Sequence, residues 1–332
     1  MRNLWKTISA FEFWPSYVFY APFFFVWVYY CLRSRSILYF SVVNHHVAFG
    51  GLLRYSKYEM IKNLKKESVV FSKLYEEKPS DIFFYQSDFN FPFIIKPNAG
   101  ERGKDVHLVR NIEQWQSIYQ HINQSFILQE YNDSAIELGI LYYRYPSGYS
   151  NISSIVIKEF LKVKGDGKKT LKSLVEENLR AKKRANYFQQ KFATLWLTIL
   201  PDGKELLLEE IGNHCRGTVF KDANHLINKK LVTVFDDIVR NDAHFHYGRF
   251  DLKVNSIEEM YEGKGIQIFE LNGVNSEAAH IYQPGQSLLK AYRDVLFHYT
   301  VVYTISKELR SRGLKPKESI GEFYNAFKLH YS

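Results

Sequence analysis

Between residues 247 and 277 apolar and polar positions alternate in two runs, YGRFDLKV and IQIFELNGVNSE, separated by a short polar insert. A period of two predicts strands whose successive side chains take opposite faces. Glu270 and Asn272 then share a face, and so do Arg249 and Asp251. If the two runs pair as neighbours, Asp251 joins Glu270 and Asn272. A surface hairpin with scattered polar residues would show the same alternation, so the rest of the chain has to decide.

Elsewhere the pattern predicts a mixture of strands and helices. Ser36–Val43 (SILYFSVV) reads as a strand, and Ser56 as the N-cap of a helix to Lys66, with Glu59 completing a capping box. FPFIIK is a strand ending at Lys96; a loop from Asn98 to Lys104 and a second strand follow. Asn111–Asn123 reads as a short helix, Phe126–Tyr131 as a strand, and Glu137 opens the strand LGILYYRYP. A strand from Ser153 leads to the Asp-Gly turn in GDGKK, and Thr170 caps a helix from Leu171 to Arg184. Leu206–Asp222 is a strand and polar loop, followed by a helix from Leu226 to Asn241. In the helix Gln286–Glu308, Tyr292, Phe297, Tyr299 and Tyr303 form a packing stripe. No internal repeat or low-complexity linker interrupts the chain.

Phe13–Leu32, FWPSYVFYAPFFFVWVYYCL, carries no charge and approaches the ~20 residues that span a bilayer as a helix. Three readings stand: a transmembrane helix, a helix lying in the membrane interface with its Trp and Tyr rings among headgroups, or a helix buried against protein. Pro15 suits a first helical turn, whereas Pro22 weakens a straight helix. The net charge is +9, from 44 basic and 35 acidic residues. That excess suits a nucleotide or an anionic membrane surface. No arginine-rich tract or nucleic-acid motif supports a nucleic-acid partner. The two cysteines, Cys31 and Cys215, lie in dissimilar segments and predict no disulfide, which fits the cytoplasm.

Asp251, Glu270 and Asn272 are three oxygen donors of the kind Mg²⁺ takes together with substrate phosphates. The loop after Lys96 contains Asn98, Gly100, Arg102, Gly103 and Lys104. Its glycines let backbone N–H groups approach phosphate oxygens, with lysines adding charge, although its spacing is not that of a Walker loop. A flexible hairpin with solvated lysines is equally compatible with that loop. Glu130–Tyr131 could offer a purine its backbone edge, and Glu137 a ribose its carboxylate. Gly212, Asn213, Arg216, Gly217 and Lys221 form a loop suited to an anion. The adjacent His45 and His46 read as part of a polar loop, because zinc ligands are usually more widely spaced. No Ser/His triad or cysteine nucleophile is evident.

Taken in order, IIKPNAGERGKDV, ILQEYNDSAIELGI, FLKVKGDGKKTLKSLVEEN, IGNHCRGTVFKD, YGRFDLKV and IQIFELNGVNSE resemble the ATP-grasp superfamily, on the side of D-alanine–D-alanine ligases and cyanophycin synthetases. The resemblance runs from about Ser56 to Tyr303. It implies an α+β fold in which two lobes clamp ATP, and a ligase that phosphorylates a carboxylate and lets an amine attack the acylphosphate. By that resemblance Lys57 and Lys96 hold ATP phosphates, residues 98–104 cover them, Glu130 and Tyr131 face adenine, and Glu137 faces the ribose. Asp251, Glu270 and Asn272 bind Mg²⁺, with Mn²⁺ as a substitute. Arg249 stabilises the acylphosphate and the tetrahedral intermediate, and Arg216 and Lys221 attend the γ-phosphate or the substrate carboxylate.

The implied division is an apolar segment over 1–35, a reduced pre-ATP-grasp region over 36–90, the ATP-grasp domain over 91–310 and a tail over 311–332. The full nucleotide-like domain that usually precedes the clamp has no counterpart between Arg35 and Ser56. The apolar segment stands in its place and suggests a membrane surface and a lipid-linked substrate. The alternatives are an ATP-binding scaffold without turnover and a phosphotransferase.

Overall fold

The computed structural model of the protein describes residues 11–100, 103–134, 136–212 and 216–331. Arg102, Asn213 and Cys215 lie outside the described residues. The chain forms two compact units, one of Met1–Ile157 with Asp222–Ser332 and one of Lys158–Lys221. In chain order the strands are β1 (Ser72–Tyr75), β2 (Phe93–Pro97), β3 (His107–Val109), β4 (Phe126–Glu130), β5 (Ile136–Arg144) and β6 (Ser150–Glu159). Then come β7 (Lys162–Lys164), β8 (Glu205–Leu207), β9 (Val219–Asp222), β10 (Tyr247–Val254) and β11 (Gln267–Asn272).

The α+β architecture expected from the sequence is present. In the first unit one antiparallel sheet runs β1-β4-β2-β3 and another runs β11-β10-β5-β6. Phe250 and Leu252 of β10 and Leu271 of β11 enter a core with Leu231, Phe235 and Ile238 of the helix Lys229–Ile238, and a register shift past Asp251 and Glu270 brings Ile268 to the same side. The sheet β1-β4-β2-β3 buries Phe93, Ile95, Phe126 and Leu128 against Trp115 of the helix Ile112–Gln120. The second unit pairs β7 with β8 and has its own core around Leu171, Phe188 and Leu208.

Caps set several helix starts, as the sequence indicates. Ser56, Asn111 and Thr170 accept from the backbone N–H groups of Glu59, Gln114 and Ser173. The helices they open are shorter than expected: Lys57–Ile61 in the first case and Leu171–Glu177 in the third. A further helix, Ile320–Tyr331, lies in the stretch expected to be a tail.

One expectation fails. Ser36–Val43 is not a strand; Tyr39–Val42 forms a tight helical turn, and Leu38–Val43 is buried throughout. A continuous apolar run has no period to separate a strand from a buried turn. Here the core of the helix Leu288–Ser311 decides, and Ser306 donates to the Tyr39 carbonyl. The apolar segment is not one straight helix, in keeping with its internal proline. It breaks at Ala21–Pro22 into Ser16–Tyr20 and Phe23–Ser34, because proline has no N–H to continue the ladder. Among the described residues no helix is long and apolar enough to cross a membrane. One face of the segment packs on the helix Leu288–Ser311: Tyr30 stacks on Tyr303 at 4.3 Å, and Phe23 meets Tyr292 edge-on at 5.2 Å.

The loop before Ser56 is pressed against the end of β11. Val274 N–H donates to Gly50 O at 3.1 Å, and Asn44 Nδ2 donates to the same oxygen at 3.1 Å. A Cβ on Gly273 would lie 2.6 Å from Gly51 Cα, so only glycines allow this approach. Gly273→Ala should therefore cost about 1–3 kcal/mol of stability, the usual range for overpacking. Urea unfolding measures it; an unshifted midpoint would show that the loop moves aside freely.

Candidate functional site

The site is built on the β10–β11 pair. Arg249 lies opposite Asn272 and Asp251 opposite Glu270, and directly opposed residues share a face. Their apolar neighbours fill the core beneath, so these four polar side chains face away from it. Arg249 donates to Asp251 Oδ2 at 3.2 Å, and Asn272 Nδ2 donates to the same oxygen at 3.1 Å. On the adjoining strand Gly139 lies opposite Asp251; a Cβ there would sit 3.4 Å from Asp251 Oδ1 and 3.1 Å from Val156.

Two lysines reach this face. Lys57, at the start of its capped helix, pairs with Glu270 at 2.5 Å. Lys96, buried on β2, donates to Gln129 Oε1 at 2.9 Å and to Phe269 O at 2.7 Å. Burial pushes Lys96 down to about 8 from 10.5, the nearby carboxylates of Glu270 and Asp251 only partly opposing it. Burial alone would raise the Glu270 carboxyl, but Lys57 and Lys96 outweigh it and hold the group below its ordinary value. Burial opposes the Arg249 charge, yet the adjacent Asp251 holds its pKa above the ordinary value. Three cations thus face two carboxylates, an excess that suits an anionic ligand.

The donor set fits a hard cation: two carboxylates and an amide oxygen on neighbouring strands. Among the described residues no three His, Cys, Asp or Glu side chains form a metal cluster. A cation here would therefore complete its shell with water or ligand oxygens.

The other expected residues divide into groups. Glu137, at the start of β5, lies opposite Lys253 and is buried. Glu130 ends β4, and its N–H donates to Phe71 O at 3.0 Å. Tyr131 is exposed, with Lys253 Nζ 5.2 Å from its ring. Gly100 and Lys104 are exposed, and Gly103 takes φ 70°, which glycine adopts readily. The Asn98 side-chain oxygen accepts from Ser56 Oγ at 2.9 Å and from Tyr58 N at 3.2 Å, so Asn98 shapes the turn that presents Lys57. In the second unit Arg216 lies 3.6 Å from Glu209, which also pairs with Arg184, and Lys221 pairs with Glu159.

Sequence reading missed several participants. Gln129 bridges Lys96, Ser72 and Phe269 O. Tyr55 donates to Asn272 Oδ1 at 2.9 Å, and Ser276 Oγ accepts from Arg249 N at 3.1 Å. Alternation around Glu130 places Gln129 on the opposite face, a signal that was present. Nothing local marks Tyr55.

The sequence matches no family model and no curated protein. Solved structures do match. The matching chains are ligases, each a distant likeness. A bifunctional glutathione synthetase from Pasteurella multocida is 15% identical with TM-score 0.40, over 73% of this chain and 35% of that one. D-alanine–D-alanine ligase from Bacillus anthracis is 13% identical with TM-score 0.42, over 83% and 71%. The D-Ala:D-Ser ligase from Enterococcus faecalis is 11% identical with TM-score 0.42, over 81% and 64%. The chain thus spans about a third of the glutathione synthetase.

Lys96 offers a test on the protein alone. Below about pH 8 both folded and unfolded states carry its proton, and the folded state bears the full cost of a buried ammonium. Between about 8 and 10.5 the folded state releases that proton while the unfolded state keeps it, so this cost fades as pH rises. The stability of wild type relative to Lys96→Met should therefore increase from pH 8 to 10, by up to about 1.4 kcal/mol per pH unit. Urea titrations at several pH values check it; a flat difference would place Lys96 in a wetter site.

Proposed function

We propose that the protein is an ATP-dependent carboxylate–amine ligase acting through an acylphosphate and releasing ADP and phosphate. The observation that carries this reading is the single sheet face holding Arg249, Asp251, Glu270 and Asn272, with Lys57 and Lys96 reaching the same strand. Lys57 and Lys96 take the ATP phosphates, and the 98–104 loop closes over them. Glu130 and Tyr131 face adenine, and Glu137 faces the ribose. Asp251, Glu270 and Asn272 are the residues to hold Mg²⁺, or Mn²⁺ in its place, and that ion neutralises phosphate charge when bound. Arg249 makes no hydrogen bond through Nε among the described residues, which leaves that donor for a substrate oxygen. As the amine attacks, negative charge collects on the former carbonyl oxygen, and a fixed guanidinium stabilises it. Arg216 and Lys221 are proposed to attend the γ-phosphate or the acid.

The deciding assay incubates protein, ATP and Mg²⁺ with pools of acids and amines and follows ADP, AMP and phosphate. ADP and phosphate that require both an acid and an amine support the ligase. A stable phosphorylated product favours a phosphotransferase, and tight ATP binding without turnover favours a scaffold. Arg249→Ala should keep ATP binding and lose roughly 10²–10³-fold in turnover, as loss of an oxyanion donor does. Glu270→Ala should weaken Mg²⁺–ATP binding itself. Equal loss of ATP binding in both variants would defeat this division of roles.

A second reading concerns location. The apolar segment has an outer face on which Tyr17, Phe24, Phe25, Tyr29 and Leu32 are more than half exposed, with Arg33 and Arg35 exposed beside them. Aromatic rings flanked by arginines suit an anionic membrane surface. We propose that the enzyme works in the cytoplasm on that surface, with one lipid-linked substrate. Replacing Phe24 and Phe25 together with serine should reduce co-sedimentation with phosphatidylserine-containing vesicles by tenfold or more. Equal sedimentation of variant and wild type would remove the membrane role of this face.

A further inference from the structure

The loop after Asn272 brings one more charged group to the site. Ser276 Oγ accepts from Arg249 N–H at 3.1 Å and donates to Asn272 O at 2.7 Å, which ties residue 277 beside the arginine. There the Glu277 carboxylate is gripped from two sides. Tyr20 OH donates to Oε1 at 2.5 Å and Tyr282 OH donates to Oε2 at 2.6 Å, the two hydroxyls lying 3.2 Å apart. Burial, and then the Glu277 charge, push both phenols well above their ordinary pKa, so both remain donors.

An ionised carboxylate has about four lone-pair positions, and the phenols use two of them. Among the described residues no lysine or arginine forms an ion pair with Glu277. Apart from the nearby Arg249 charge, its surroundings are aromatic: Phe19 packs on Tyr20, Tyr282 and Tyr292, and Phe23 packs on Tyr20. A half-buried carboxylate with lone pairs to spare in such a setting favours a cation with N–H donors, through charge-assisted hydrogen bonds and the ring faces.

We propose that Glu277 is an ammonium-binding residue of this site, so that the acid substrate also carries a protonated amine. Its carboxylate would lie toward Arg249, and Tyr20 and Tyr282 are positioning residues that fix Glu277. The inference rests on the ligase reading and adds a specificity determinant to it. It also gives the apolar segment a part in the site, since Tyr20 ends its first helix.

Hydroxylamine, neutral near pH 7.5, serves as the nucleophile, so only recognition of the acid is probed. The full chain is given ATP, Mg²⁺ and hydroxylamine with a pool of common L- and D-amino acids, or with the same pool N-acetylated, and hydroxamate is measured. Wild type should use the free amino acids at least about tenfold better than the acetylated ones, the worth of one charge-assisted contact. Glu277→Gln should raise KM for the free pool by about tenfold with a smaller change in kcat. Tyr20→Phe, which keeps the ring, should raise KM by a few-fold. Equal use of both pools by wild type overturns the proposal while leaving the ligase intact, as does a Glu277→Gln effect confined to kcat. If neither pool nor simple carboxylic acids give hydroxamate, the ligase reading falls and this inference falls with it.

Discussion

The antiparallel register between β10 and β11 is the constraint on which the rest depends. It sets Asp251 against Glu270 and Arg249 against Asn272. A slip of one residue in either strand would turn its two polar residues into the core and bring Phe250 or Leu271 out. The register is held from below by that apolar face and from the end by the loop after Asn272, which meets the Gly50–Gly51 backbone. The core and the chemistry are thus two sides of one pairing. The strain-free approach of two glycine backbones keeps its far end in place.

Charge balance follows from that register. Leaving one buried charge without its partner costs about 3–5 kcal/mol. Here Lys57 answers Glu270 and Arg249 answers Asp251, whereas Lys96 leans on two neutral oxygens and has its pKa lowered by burial. The apolar segment is drawn into the same arrangement from the other side. Its inner face packs Phe19, Phe23 and Tyr30 on the helix Leu288–Ser311 and its neighbours, and Tyr20 reaches Glu277. One short stretch therefore serves packing and the polar site together.

Alternation made β10 and β11 legible in the sequence, and with them the four central residues. Polar caps made the starts at Ser56, Asn111 and Thr170 legible, because each cap is a local contact. What stayed hidden depends on distant partners. Ser36–Val43 had strand composition, but burial beneath a helix far along the chain selected a turn. Tyr55 and Tyr20 looked like ordinary aromatics until the fold set their hydroxyls on Asn272 and Glu277. Asn98 begins the loop expected to cover the phosphates, and its side chain engages in the turn before Lys57, a contact with a distant segment. Pro22 did carry a local signal, and the segment breaks there.

The paired charges also bear on how the proposed site would accept its ligand. Each carboxylate intended for a metal ion is already neutralised by a cation intended for phosphate or acylphosphate. If the proposed site takes a metal–phosphate ligand, Asp251 and Glu270 would hold the metal, Lys57 would answer a phosphate oxygen, and Arg249 would keep its place with Nε toward the substrate. Each buried carboxylate and Lys57 would then keep an opposite charge beside it, and none would be left in an unpaired state costing several kcal/mol. Neither half of the ligand offers that balance alone: phosphate without metal would strand the two carboxylates, and metal without phosphate would strand the two cations. Under the proposed reading, the ion pairs on this face would favour joint binding of metal and nucleotide, through electrostatics already present in the folded chain.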